Sequence, residues 1–214
     1  MIEIIDSQFV TSAPNVAAAP ENEYLNEVVF MARSNVGKSS LLNALSNRKS
    51  LAKVSATPGK TRLINFFDVT LLDRDTDEKL EAKFVDLPGF GYAKVSKSIK
   101  SDWEKNLTDF VAQRKQIKIF LHLIDSRHPD LEIDYSVSEY LDQVCREDQV
   151  IVRVFTKIDK LNQKEQGKLL RDFPGAILVS SSKKRGIHKL VSIIYNTLHD
   201  DMENIDLIEA NNEI

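Results

Sequence analysis

The amino-acid sequence predicts an α/β fold: a three-layer sandwich built on a six-stranded, mostly parallel sheet with one antiparallel strand. Three observations carry this reading. From residue 27 onward, short β-branched or aromatic runs alternate with longer segments of helical periodicity, as a sheet covered by helices requires. The apolar runs on either side of RDTDE (74–78) are separated by turn residues alone, so they form a hairpin and one of the pair runs against the rest. A chain of 214 residues suffices for one sizeable core but hardly for two.

Residues 1–25 contain Pro14, Pro20 and three successive alanines, and read as an extended arm with a short edge strand at IEII (2–5). The globular body follows over 26–199. Its strands are EVVFM (27–31), LINFFDVTLL (63–72), LEAKFVD (80–86), IKIFLHLID (117–125), VIVRVFT (150–156) and AILVS (176–180). Helical spacing fills about 38–47, 97–114, 132–146, 161–172 and 187–199. The segment 47–62, NRKSLAKVSATPGKTR, lacks apolar periodicity, and loops of that length are usually either functional or mobile. From residue 200 the chain is an acidic tail, read as solvated: six acids and no Lys or Arg.

Composition narrows the function. At 42% hydrophobic and 29% charged residues the chain is neither collagen-like nor disordered. The single cysteine, Cys145, makes no internal disulfide, and with four scattered histidines it is not a zinc constellation; a reducing compartment fits. The N-terminus has no basic segment leading an apolar one, and IFLHLI (119–124) is too short to span a bilayer, so a soluble cytoplasmic protein without membrane attachment is expected. Without the acidic tail the body carries 29 bases against 26 acids, a mildly basic surface.

After the first central strand comes Ala32-Arg33-Ser34-Asn35-Val36-Gly37-Lys38-Ser39-Ser40, which matches the phosphate-binding loop GxxxxGK[ST] except for Ala32 at its first glycine. Such a loop turns backbone N–H groups and a helix N-terminus toward phosphate oxygens. Lys38 would bridge β- and γ-phosphates, and Ser39 would ligate Mg²⁺. A GKS tripeptide also opens ordinary helices, so context decides. At positive φ, alanine would cost about 1–2 kcal/mol, whereas extended geometry costs almost nothing; the fit of the remaining loop selects the second. The strand LEAKFVD then delivers Asp86-Leu87-Pro88-Gly89, whose aspartate can hold Mg²⁺ through water and whose Gly89 N–H can reach a γ-phosphate. A second DxxG, Asp172 to Gly175, follows a helix and reads as its stop.

Thr156-Lys157-Ile158-Asp159 fits the pattern [NT]KxD. A carboxylate there accepts hydrogen bonds from guanine N1–H and its exocyclic amine, which adenine does not offer, while the Lys157 stem lies along the ring. The backbone at Val179, Ser180, Ser181 and Ser182 would meet guanine O6. Lys38, Asp86, Thr156 and Ser180 are spaced by 48, 70 and 24 residues, each at or just beyond the carboxyl end of a predicted strand.

Together RSNVGKSSLLNAL (33–45), TPGKTRLINFF (57–67), VDLPGFGYAKV (85–95), TKIDK (156–160) and SSSKKRGI (180–187) resemble the TrmE–Era–EngA–EngB group of GTPases, most closely the EngB (YihA/YsxC) family, over about residues 9–199. The resemblance implies a P-loop GTPase G domain. It makes 47–62 switch I and 87–96 switch II, with Thr61 closing on Mg²⁺ and the γ-phosphate. Gly59, Lys60, Arg62 and Leu63 would join the nucleotide contacts, and Lys38, Thr61 and Gly89 would be the catalytic set. Bound GTP would then hold both loops until hydrolysis releases them. The resemblance also implies a monomer acting in assembly of the large ribosomal subunit, linked to cell division and septation. The family's loop usually begins with glycine, so Ala32 is a departure.

Phe90 stands where Ras-like switches place a water-orienting glutamine, so intrinsic hydrolysis should be slow. In related members an asparagine matching Asn35 helps bind K⁺ beside the phosphates. Lys94, Lys97, Lys100, Lys105, Arg114, Lys115, Lys118 and Lys183-Lys184-Arg185 are candidates for an RNA-facing surface, though singly each reads as a solvated helix face. Trp103, Phe110, Tyr135 and Tyr140 read as packing residues, the histidines as structural or surface groups, and Cys145 as a helix residue without chemistry. Two other readings stay open: a non-catalytic guanine-nucleotide-dependent interaction protein, suggested by Ala32 and Phe90, and a P-loop ATPase or kinase, against which TKID argues.

Overall fold

The structure is a computed structural model that describes residues 1–22, 25–48, 51–52, 63–89 and 97–212, with side chains for all of these except 97–104 and 201–212. Its strands are Ile2–Ala13 (β1), Glu27–Ala32 (β2), Ile64–Asp73 (β3), Glu78–Asp86 (β4), Ile117–Asp125 (β5), Val150–Thr156 (β6) and Ile177–Leu178 (β7). Its α-helices are Lys38–Leu45 (α1), Lys97–Gln113 (α2), Glu132–Val144 (α3), Gln163–Asp172 (α4) and Ile187–Asn212 (α5). The strands form one sheet in the order β1-β3-β4-β2-β5-β6-β7. β3 is antiparallel to both of its neighbours and all other pairs are parallel, so β3 alone runs against the rest.

Among the described residues the sheet has seven strands, not the six expected, and the addition is β1. The short strand foreseen at 2–5 continues to Ala13, in register from Ile2 opposite Asp73 to Ala13 opposite Ile64. Irregularities between Ile4 and Asp6 and between Phe9 and Thr11 interrupt its two-residue alternation, which conceals the strand from a periodicity reading. Phe9 anchors it, edge-on to Phe67 at 5.6 Å. At the other terminus α5 runs to Asn212 instead of stopping near 199. The acidic segment contains no Gly or Pro to end a helix.

The sheet is apolar on both faces, as a sheet sandwiched by helices must be. On one side Phe30, Phe84 and Leu121 pack with Leu41 and Leu42 of α1 and Leu190 and Leu198 of α5. On the other, Met31, Phe66 and Phe120 meet Phe110 of α2 and Leu141 of α3. Phe110 is thus a core residue, as expected. α4 covers a smaller cluster at Phe155 and Ile158, and the Asp172–Gly175 segment ends that helix, with Gly175 at φ 80°.

Arg114 is a correction to the RNA-facing surface. It is buried, donates to the fully buried Glu27 carboxylate at 2.7 Å and to the Pro20 carbonyl at 2.8 Å, and lies over the Phe66 and Phe110 rings. Asn22 donates to the same carboxylate at 2.8 Å. The pair therefore fastens the segment before β2 to the end of α2, and a charge buried and paired in this way is unavailable to phosphate. Lys118 is engaged by Asp148 at 3.0 Å. Lys94 lies outside the described residues, as do the side chains of Lys97, Lys100 and Trp103.

Candidate functional site

In this topology the carboxyl ends of β4, β2, β5 and β6 lie side by side, with Asp86 opposite Phe30, Ala32 opposite Leu123 and Asp125 opposite Thr156. The chain leaves β2 for α1 on one face and β5 for α3 on the other, so a crevice opens at this edge, the usual ligand position in open α/β sheets.

Ala32 closes β2 in strand geometry with no exposure. The left-handed residues of the loop are Asn35 (φ 67°) and Gly37 (φ 100°), so alanine at the loop's first position costs nothing in backbone strain. Gly37 is the N-cap of α1, and a side chain there would be strained by its φ alone. Lys38, Ser39 and Ser40 form the first turn of α1. Arg33 points away, donating from Nε to Asp134 Oδ2 of α3 at 3.2 Å.

Three contacts join this loop to the base motif and to the DxxG turn. Thr156 Oγ1 donates to the Val36 carbonyl at 2.6 Å. Lys157 Nζ donates to the Asn35 carbonyl at 2.6 Å and pairs with Asp125 at 2.9 Å, while its own backbone is left-handed at φ 58°. A Cβ on Gly89 would come within 3.1 Å of the Ser34 backbone and hydroxyl, so glycine lets this turn lie against the loop without displacing it. Leu87, Pro88 and Gly89 are all buried.

Lys38 Nζ forms an ion pair with Asp86 Oδ1. Asn65 Nδ2 donates to the other carboxylate oxygen at 3.2 Å, and Ser12 Oγ donates to Asn65 Oδ1 at 2.6 Å. Burial pushes Lys38 down to about 7, against the pull of the neighbouring carboxylate. At the base motif Ser180 Oγ donates to Asp159 Oδ1 at 2.6 Å, which holds Asp159 below the usual carboxylate range. Val179 and Ser180 are buried, Ser181 is half-buried and Ser182 exposed. Ile158 N–H donates to the Val179 carbonyl at 3.3 Å, drawing the two loops together.

The structure thus brings Lys38 to Asp86, and Asp159 to Ser180, at one sheet edge. Gly59, Lys60, Thr61, Arg62 and Phe90 lie outside the described residues, and Leu63 is exposed just before β3. Three participants were not foreseen. Asp125 is held by Arg127 at 2.7 Å and by Lys157; burial raises its pKa, but these partners outweigh that and hold it well below the carboxylate range. It carries the same signal as Asp86, an acid closing an apolar strand, and was legible on that ground. Asn65 and Ser12 carried no signal, because their roles depend on register.

The chain is similar to known GTP-binding proteins. A family model described as "50S ribosome-binding GTPase" matches residues 27–157. The chain is 55% identical over 185 residues to a probable GTP-binding protein EngB of Aliarcobacter butzleri, covering 86% of this chain and 92% of that protein. It is 52% identical over 193 residues to the corresponding protein of Campylobacter jejuni serotype O:23/36, covering 90% and 96%. A crystal structure of a probable GTP-binding protein EngB aligns with a TM-score of 0.59 at 21% identity, over 81% of this chain and 99% of that one. A structure of Era in complex with MgGDPNP and a segment of 16S ribosomal RNA aligns with a TM-score of 0.61 at 20% identity, over 83% and 58%. At these identities the two structures speak to the fold, an α/β P-loop GTPase fold.

Proposed function

The chain belongs to the EngB family of GTP-binding P-loop GTPases, and from that premise we propose that it binds GDP and GTP in the crevice at the ends of β2, β4 and β6 and hydrolyses GTP slowly unless stimulated. The observation that supports this most is the convergence of Lys38, Asp86 and Asp159 on one sheet edge, with the loops that carry them fastened by Thr156 and Lys157. In this reading the Ala32–Ser40 loop surrounds the phosphates, with Lys38 moving from Asp86 to the β- and γ-oxygens. The carboxylate of Asp159 recognises the guanine N1–H and amine, and the backbone of Val179–Ser182 meets its O6.

The donor set fits Mg²⁺. Asp86 is an almost fully buried carboxylate that already takes a cationic partner, and Ser39 offers a hydroxyl on the adjacent helix turn, both hard oxygen ligands. When bound, the ion would neutralise charge on the β- and γ-phosphates. The Era structure's MgGDPNP supports this assignment by fold analogy. Asn35, exposed at the turn of the loop, is the position for an accessory K⁺. Thr61 and Gly89 would complete the catalytic set.

The partner we propose is the large ribosomal subunit, supported by the description of the matching family model; a link to cell division and septation rests on family resemblance. Among the described residues no helix is long and apolar enough to cross a membrane; that the protein works as a monomer in the cytoplasm rests on family resemblance. Single-turnover GTP hydrolysis, with and without purified large ribosomal subunits and in potassium or sodium buffer, tests the proposal. The protein alone should turn over slowly, with stimulation of about tenfold or more by the particles and a faster rate in potassium. Absence of turnover under all conditions would favour a non-catalytic interaction protein. Equal rates in the two salts would remove the role given to Asn35.

A further inference from the structure

The phosphate lysine and the metal-site aspartate share a single ion pair, which nucleotide must open. Once Lys38 turns to the phosphates, Asp86 needs something else to hold its carboxylate in place. The described structure supplies it from the opposite side. Asn65 stands directly across from Asp86 in the β3–β4 register, and Ser12 directly across from Asn65 in the β1–β3 register, so three side chains line up over three adjacent strands. Asn65 Nδ2 donates to Asp86 Oδ2 at 3.2 Å while Lys38 occupies Oδ1, and Ser12 Oγ donates to Asn65 Oδ1 at 2.6 Å.

We propose that Asn65 is a positioning residue for the divalent-cation site, its amide holding Oδ2 of Asp86 so that Oδ1 stays free for a metal-bound water when Lys38 leaves. Ser12 on the edge strand anchors that amide from its other side. The proposal rests on the reading of Asp86 as the Mg²⁺ aspartate given above.

The chemistry favours an amide at this position. A second lysine or arginine would neutralise the carboxylate and compete with the metal, whereas a neutral donor orients it at full charge. The amide also has a defined sense. Reversed, it would set its oxygen against the carboxylate and its NH₂ against a hydroxyl that can still accept; the lone-pair clash between two oxygens at Asp86 therefore sets the sense of the amide, and donation from Ser12 Oγ adds a hydrogen bond that holds it in place. By this route β1, which the sequence presented as an arm, becomes part of the site's support.

The test is equilibrium binding of a fluorescent GDP analogue to the full chain, titrated with Mg²⁺ and repeated in EDTA, for wild type, Asn65→Ala, Ser12→Ala and Asp86→Asn. Asn65→Ala should raise the Mg²⁺ concentration needed for half-maximal effect about 10-fold, with affinity in EDTA changed less than about 2-fold. Ser12→Ala should move it in the same direction by a smaller factor. A loss of affinity by Asn65→Ala that is equal with and without metal would show a merely structural role and overturn the proposal, as would an unchanged Mg²⁺ requirement. Asp86→Asn separates the two levels. If it shifts the Mg²⁺ requirement and Asn65→Ala does not, only the role of Asn65 falls; if Asp86→Asn itself leaves the requirement unchanged, the metal assignment falls and this inference with it.

Discussion

Replacing Asp159 with asparagine lowers the affinity for GDP and GTP by about 10²–10³-fold and turns the preference toward xanthosine nucleotides. The carboxylate offers two charged acceptors to the guanine N1–H and amine; hydrogen bonds to a charged group are each worth about 1.5–3 kcal/mol, and losing them also leaves buried donors unmatched. Asparagine presents one acceptor and one NH₂ donor, which suits the 2-oxo group of xanthine. Ser180 already donates to one Asp159 oxygen at 2.6 Å and can do the same for the amide oxygen of asparagine, so the side chain stays in place and the effect is one of recognition. Competition of GDP and XDP against a fluorescent guanine nucleotide measures it. Unchanged GDP affinity in the variant would remove Asp159 from the base site.

The second large effect lies at Lys38. Substitution by methionine, which keeps the stem and removes the charge, should lower single-turnover hydrolysis by about 10²–10³-fold, the usual consequence of deleting one fixed charge aimed at the reacting phosphate. It also removes a pH dependence. Burial pushes the Lys38 ammonium down to about 7 in the nucleotide-free protein, whereas phosphate oxygens beside it would hold the proton on. Above pH 7 the complex therefore binds more protons than the free protein. Affinity for GDP in the absence of metal should then fall as pH rises through 7, by up to about tenfold per unit, and be full below it. Fluorescent GDP binding between pH 6 and 9 reads this slope, which should be shallower in Lys38→Met by the contribution of that one proton, the ionisation of the nucleotide's own phosphate being common to both proteins. A slope of the same size in the variant would assign it to another group.

Much of this site was legible because its residues must recur at strand ends. EVVFM, LEAKFVD and VIVRVFT are strand-length runs dominated by apolar residues, so the residues that close or follow them, Ala32 to Lys38, Asp86 and Thr156 to Asp159, could be placed on one edge from the sequence. Extended geometry at Ala32 was legible from the fit of the rest of the loop, and the strand, expected to end at Met31, continues through it, so alanine is accommodated where glycine is usual. What escaped was whatever depended on pairing register. The irregularities in β1 hid most of a strand, and with it the alignment of Ser12, Asn65 and Asp86. Arg114 looked like a surface base because its partner, Glu27, is 87 residues away in the chain. α5 outran its expected end because an acidic composition suggests solvation without forbidding helix, and nothing in DDMENIDLIEANN breaks one.

In the proposed function the site couples guanine recognition to a phosphate cradle. Equilibrium displacement of a labelled GDP from the full-length protein by unlabelled GDP, GTP and ATP, with Mg²⁺ present, tests that claim most directly. GDP and GTP should displace the label at comparable low concentrations, with ATP weaker by about 10²-fold or more. Displacement by ATP as effective as by GTP, or no binding of labelled GDP at all, would contradict it.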